Sequence, residues 1–300
     1  MSDFGFLVID KPLGLTSHDV IGVVRRGVNQ RRVGHAGTLD PLATGVLVVC
    51  IGSATRLSEY VMGRDKTYRA LIRLGEETPT YDLESEVICV RPIDHLDRAQ
   101  VLKALEAFQG EVDQIPPMHS AVKQNGKKLY QLARRGKEVE RPPRRVHLQT
   151  RLIRCDLPEV ELEIICSAGT YIRSIAHDLG TVLGVGGHLA GLRRLSSGEL
   201  DNPVPLALLR TSFEAGDWRQ YLIDEQKALA HLPALHLEAE GAADILNGRL
   251  LNLPQEPRSG TDPVDRPILY RAYDPDGRFI AIVKPDPSGS HYQPEKVFLP

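Results

Sequence analysis

The chain reads as a mixed protein of helices and strands, α/β or α+β, in two parts. Apolar residues recur at helical spacing in some stretches and alternate in others, which argues against an all-helical protein. At about 150 residues per domain, 300 residues suggest two domains or one with an appendage. The composition also shifts beyond about Asn202, where Pro203, Pro205 and the only tryptophan, Trp218, precede short β-like segments. Hydrophobic residues at 42% and charged residues at 25% are ordinary globular values and exclude collagen-like, disordered and disulfide-scaffold chains.

From the N-terminus, Thr16 or Ser17 can cap a helix whose Val20, Val24 and Val28 share one side. A glycine-rich stretch from Gly34 to Gly45 then leads into the strand-like Val46 to Ile51. Tyr68 to Leu74 alternates, with Arg69 and Arg73 on one face and Ala70, Ile72 and Leu74 on the other, as a half-buried strand does. Asp97 and Gln100 form a capping box ahead of the Val101, Leu105, Phe108 stripe, and Gly110 supplies a stop. Val160 to Cys166 alternates again and runs into Ser167-Ala-Gly-Thr-Tyr-Ile-Arg173, after which Ile172, Ile175, Ala176 and Leu179 fall at helical spacing. Tyr171 and Arg173 therefore lie near a strand-to-helix junction, where free backbone N–H groups favour an anion. In the C-terminal part, Ile268 to Tyr273 and Arg278 to Val283 flank the turn Asp274-Pro-Asp-Gly277, Val297 to Leu299 reads as a closing strand, and Pro254 to Pro267 as a mobile loop.

Net charge is only −2, with 37 Lys plus Arg against 39 Asp plus Glu, yet its distribution is uneven. From His119 to Arg154 there are 11 Lys or Arg and only two acids, Glu138 and Glu140. Such a patch suits a phosphate backbone or a solvated basic loop. From Asp201 to Pro300 the balance reverses, with 10 basic and 15 acidic residues. Cys50, Cys89, Cys155 and Cys166 lack C-x-x-C spacing and read as buried thiols in a reducing compartment. No apolar run approaches the roughly 20 residues of a membrane span, and the N-terminus lacks a basic region before an apolar one, so the expected location is the cytosol.

The densest motif is Gly34-His-Ala-Gly-Thr-Leu-Asp-Pro-Leu-Ala-Thr-Gly45. It matches neither the Walker pattern nor the dinucleotide fingerprint, and there is no G-x-S-x-G and no H-x-x-x-H or H-E-x-x-H pair. What is left is a loop presenting Asp40 into a cleft, although an Asp before Pro41 also suits a plain turn.

Gly34 to Pro41 resembles the catalytic motif of the TruB family of RNA pseudouridine synthases. Further segments match in order: Asp10-Lys-Pro-Leu-Gly-Leu-Thr-Ser17, Asp65-Lys-Thr-Tyr68, Gly126-Lys-Lys-Leu-Tyr130, Ser167 to Arg173, and Leu192-Arg-Arg-Leu195. The likeness covers about the first 200 residues, and the remainder resembles the family's PUA-like RNA-binding module in outline. The resemblance implies an α+β catalytic domain, residues 1–209, with a central mixed, largely antiparallel sheet flanked by helices. A basic RNA-clamping insertion at about 119–154 and a small β-rich PUA-like domain within 210–300 complete it.

It further implies conversion of uridine to pseudouridine at position 55, in the T loop of tRNA. This is an isomerisation that needs no cofactor, metal or protein partner and is compatible with a monomer. Asp40 would be the essential carboxylate, ionised at neutral pH because an ordinary Asp titrates near 3.9. Arg173 would pair with it. Tyr68 would stack on the uracil and help remove its C5 proton, with Tyr171 and Leu192 completing the pocket. The uridine must be flipped out of the loop, and His35 would fill the space it leaves. Lys11, Lys123, Lys127, Lys128, Arg144 and Arg145 would contact RNA, with Arg134 and Arg135 beside them. Two other readings fit the same residues: a related synthase acting on another RNA, and a tRNA-binding or tRNA-folding protein whose catalysis is dispensable.

Overall fold

A computed structural model describes residues 3–120, 122–124, 126–133, 136, 139–252, 269–286 and 290–299. Along the chain, β1 (Gly5–Lys11) leads to α1 (Ser17–Gly27), β2 (Val33–His35), β3 (Ala43–Ile51), α2 (Ser58–Met62) and β4 (Lys66–Leu74). A two-stranded ladder, β5 (Glu76–Glu77) with β6 (Cys89–Val90), precedes α3 (Arg98–Leu105) and β7 (Gly110–Gln114). A hairpin of β8 (Lys123–Gln124) and β9 (Lys127–Lys128) carries α4 (Leu129–Ala133). Next come β10 (Arg144–Asp156), β11 (Glu159–Cys166), α5 (Ile172–Val182), β12 (Gly187–Ser197), β13 (Val204–Pro205), α6 (Leu206–Ala215) and α7 (Glu225–Ala228). The last part holds β14 (Ala234–His236), α8 (Ala239–Leu246), β15 (Leu251–Asn252), β16 (Tyr270–Tyr273), β17 (Phe279–Pro285) and β18 (His291–Val297).

The main sheet has nine strands in the order β13-β1-β3-β12-β4-β11-β10-β7, with β2 also on β3. Only β1–β13 and β3–β12 pair in parallel, so the sheet is mixed and largely antiparallel. The expected helix starts are present: Thr16 and Asp19 form a capping box on α1, and Asp97 and Gln100 form one on α3. Both faces of the sheet centre are covered, which explains the unbroken apolar run of β3. On β1, Leu7 and Ile9 join the core beneath α1 and α5, whereas Phe6 and Val8 face a second cluster with Ala228, Leu229, Ile282 and Phe298.

β10 was not expected as a strand. Its 13 residues lie mostly in the stretch read as a basic insertion, and from Arg144 onward that stretch belongs to the sheet. Arginines on its outward side mask the alternation, and on β11 glutamates answer them: Arg151 pairs with Glu163 at 2.7 Å, while Arg154 reaches Asp156, Glu159 and Glu161. Arg69 on β4 meets both Glu161 and Glu163 at 3.3 Å. Part of the local positive excess is thus neutralised within the sheet.

The second sheet, β14-β16-β17-β18-β15, is the expected C-terminal β-rich unit. Its last strand spans His291–Val297, earlier than the predicted 297–299. The stretch from Pro254 to Pro267 lies outside the described residues. The segment from Leu206 to Leu232 packs with the first sheet: Trp218 joins the main core, and Phe6 and Ile223 exchange backbone hydrogen bonds of 2.8 and 2.9 Å. The domain boundary expected at residue 209 falls inside this packed segment. Across the two units Phe4 stacks on Phe279 and meets Phe298 edge-on, and the Arg56 guanidinium donates to the Val297 carbonyl at 2.6 Å. All four cysteines are free thiols; Cys50 and Cys166 are buried as expected, whereas Cys89 and Cys155 are only half-buried. No described helix is long and apolar enough to cross a membrane.

Candidate active site

The loop between β2 and β3 carries Asp40 and is fixed at almost every residue. Gly37 takes φ +103°, a conformation that favours glycine, and its carbonyl accepts from Arg194 at 3.1 Å. Leu39 is held on both sides by buried Ser17, whose hydroxyl accepts from the Leu39 N–H at 2.8 Å and donates to its carbonyl at 3.0 Å. The Pro41 carbonyl accepts from the Gly14 N–H at 2.9 Å and from Lys11 Nζ at 3.4 Å. Lys11 also donates to Pro12 at 3.0 Å and Leu15 at 2.5 Å and is fully buried, which lowers its pKa. Expected among the RNA contacts, it is instead a brace for the loop, because three carbonyls already occupy its ammonium.

Asp40 emerges from this scaffold with 42% of its side chain exposed and an oxygen 3.5 Å from Arg173. Arg173, the second residue of α5, is only 9% exposed. Its other terminal nitrogen lies 3.3 Å from Asp82, a carboxylate with no solvent exposure, while the nitrogen facing Asp40 donates to the His119 carbonyl at 2.8 Å. Asp82 in turn accepts from Thr80 Oγ1 at 2.5 Å and the Glu84 N–H at 3.0 Å. Nearby Glu84 has its pKa raised by burial and by the carboxylates of Asp82 and Asp40. The start of α5 is clasped by Gln114, whose side-chain oxygen accepts from the Tyr171 N–H at 2.8 Å and whose amide donates to the Tyr171 carbonyl at 3.0 Å.

The other expected residues lie on strands of the sheet, on the β8–β9 hairpin and at the start of α5. Tyr68 is 8% exposed within the main core, beside Arg194 in the β4–β12 register, and burial raises its pKa. Half-buried Leu192 lies level with Ala43 and Ala70 on the neighbouring strands. His35 is half-buried on β2, its pKa lowered by burial and then by the Arg194 charge. The Arg173 guanidinium lies 5.8 Å from the Tyr171 ring centroid. Arg144 is exposed, and Arg145 makes an exposed 3.4 Å contact with Asp113. Lys123, Lys127 and Lys128 sit on the β8–β9 hairpin. Their side chains, with Arg134 and Arg135, lie outside the described residues.

Sequence reasoning missed Asp82 and Arg194. Arg194 is fully buried and donates to the carbonyls of Val46, at 2.6 Å, and Gly37. Its signal was present in Leu192-Arg-Arg-Leu195, but the spacing does not reveal which arginine turns inward. The signal for Asp82 was Thr78-x-Thr80-x-Asp82, whose threonines both hydrogen-bond back to it.

Solved structures share this layout. A structure of an H/ACA RNP bound to a substrate RNA containing 2′-deoxyuridine matches 99% of this chain and 86% of its own, with a TM-score of 0.75 and 25% identity. A Cbf5-Nop10-Gar1 complex matches 99% and 85%, with a TM-score of 0.74 and 26% identity. The fold is thus that of a pseudouridine synthase of the Cbf5 and TruB type. Residues 25–172 match the N-terminal domain of the TruB family pseudouridylate synthases, and residues 173–231 match the tRNA pseudouridylate synthase B C-terminal domain. A curated relative from Dehalococcoides mccartyi, named tRNA pseudouridine synthase B, is 42% identical over 98% of this chain and 96% of its own. One of the same name from Gloeobacter violaceus is 48% identical over 82% and 85%. The chain belongs to the TruB family of pseudouridylate synthases.

Proposed function

We propose that the chain converts uridine to pseudouridine at position 55 in the T loop of tRNA, without a cofactor, and that Asp40 is the carboxylate on which the reaction depends. The observation that carries this reading is a half-exposed Asp40 on a braced loop, with buried Arg173 at 3.5 Å as its fixed cationic partner. Curated relatives named tRNA pseudouridine synthase B support the choice of tRNA. The N1 glycosidic bond breaks, the detached uracil turns, C5 bonds to ribose C1′, and the C5 proton is lost as N1 gains one, so the product is an isomer. Asp40 acts as nucleophile or base in this sequence. Arg173 orients it, and the buried arrangement spares the reaction that reorganisation. Tyr68, Tyr171 and Leu192 form the base pocket, and His35 takes the place the flipped base leaves. Arg144 and Arg145, with the lysines of the hairpin, bind phosphates. The C-terminal sheet serves as a PUA-like RNA-binding unit.

The test is incubation of purified protein with an unmodified tRNA transcript, pseudouridine being mapped by carbodiimide-blocked primer extension, with Asp40→Asn alongside. The expected result is a stop at the T-loop uridine with wild type only, and tRNA binding by both proteins. Tight binding by wild type without any stop would overturn the reading.

A further inference from the structure

Tyr81 sits in a conformation that a tyrosine rarely adopts. Among the described residues only Asn29 and Tyr81 are non-glycines at positive φ, and asparagine tolerates that region, whereas Tyr81 at φ +65° is strained. A single residue so placed persists only where its surroundings over-determine it. Here they do. The Tyr81 N–H donates to Thr78 at 3.2 Å, its carbonyl accepts from Leu189 at 2.9 Å, and its ring lies flat on His177, centroids 3.9 Å apart and planes 11° from parallel.

The positions of the two rings give the strain a purpose. Tyr81 immediately precedes Asp82, and His177 follows Arg173 by four residues on α5, hence on the same helix face one turn along. The same loop and helix are therefore joined twice, by the ring stack and by the Asp82–Arg173 ion pair at 3.3 Å. Arg173 stands between two carboxylates at nearly equal distance, 3.5 Å from Asp40 and 3.3 Å from Asp82. A small shift of the loop would change how the guanidinium is shared between them.

We propose that the Tyr81–His177 stack is a positioning device: it holds the strained loop so that Asp82 anchors Arg173 at the distance from which Arg173 orients Asp40. This rests on the proposed role of Asp40. Without either ring, residue 81 relaxes toward negative φ, Asp82 moves, and Arg173 loses its anchor without any group being removed from the cleft.

The test is single-turnover pseudouridine formation on saturating T-arm RNA, with RNA affinity measured separately, for Tyr81→Ala, His177→Ala, Tyr81→Phe, His177→Phe and the double alanine variant. A misplacement of about 1 Å costs on the order of 10²-fold in rate. Each alanine variant is therefore expected to lose about 10- to 100-fold in rate with affinity within about twofold of wild type. The phenylalanine variants, which keep a flat ring, return close to the wild-type rate, and the double variant is no slower than the worse single one because the rings act as a unit. If Tyr81→Ala does not fold, His177→Ala, which keeps residue 81 a tyrosine, decides alone. Alanine variants at the wild-type rate, equal loss of rate and affinity, or phenylalanine variants as slow as alanine would each overturn the proposal. Wild-type protein that binds the RNA but forms no pseudouridine would instead fail the proposed function on which it rests.

Discussion

Arg173 is flanked by two carboxylates in opposite surroundings: Asp40 is 42% exposed, while Asp82 has no solvent exposure. A buried guanidinium needs its charge answered from within, and Asp82 with the His119 carbonyl does so, leaving the Asp40 carboxylate half-exposed. Further along α5, Asp178 is half-buried without an ion-pair partner among the described residues, and desolvation pushes its pKa up to about 6. The folded protein therefore binds this proton more tightly than the unfolded chain, so the carboxylate weakens the fold once ionised, as pH rises from about 4 through 6. Asp178→Asn is expected to gain about 1–2 kcal/mol at pH 7, a figure reduced for residual solvent screening, and to gain nothing below about pH 4. Urea titrations of both proteins at pH 4 and pH 7 measure it. At this scale the sequence disclosed Asp40 and Arg173 through their motifs, but not the inward turn of Lys11 and Arg194. Either side chain could as easily have faced solvent, and only the carbonyls converging on each decide the matter.

The decisive element is the parallel pairing of β3 with β12. Gly45 takes φ +94° opposite Arg194, and a Cβ there would stand 2.1 Å from the Arg194 carbonyl oxygen. Gly45→Ala is expected to cost more than about 3 kcal/mol, since backbone rather than a flexible side chain must move. Equilibrium denaturation measures the loss, and turnover should fall with it because Arg194 also holds Gly37. Elements with one wet face or a side-chain cap were legible: β4, β11 and the starts of α1 and α3 each carry a local signature. β10 was not, because its arginines look like free charge until the glutamates of β11 are placed beside them. The β3–β12 contact left no local trace either, since what selects it is the absence of a side chain at Gly45.

At the scale of the whole molecule, the sheet is a wall with a core on each side, and the C-terminal part closes one of them. Phe6, Val8, Val46, Val48 and Cys50 are covered by Ala228, Leu229, Ile282 and Phe298, and Trp218 reaches the opposite core. A chain ending at Leu209 is therefore expected to lose its cooperative thermal transition, since burial worth about 25 cal/mol per Å2 of apolar surface is uncovered. Circular dichroism melting of the truncated and full chains measures this, and a sharp transition in the truncated chain would refute it. The division into two parts was visible in composition, but the place where they separate was not, because the segment from Leu206 to Leu232 follows the compositional shift and yet packs on the first sheet. The loop that presents Asp40 is also closed by partners far apart in synthesis: Lys11 and Ser17 early, Arg173 and Arg194 more than a hundred residues later. Until β12 has left the ribosome, Gly37 and Val46 lack the donors that fix them, and a connection of that span forms slowly. A growing chain thus holds Asp40 for most of its synthesis without a site around it, and competence arrives in one late step rather than by degrees.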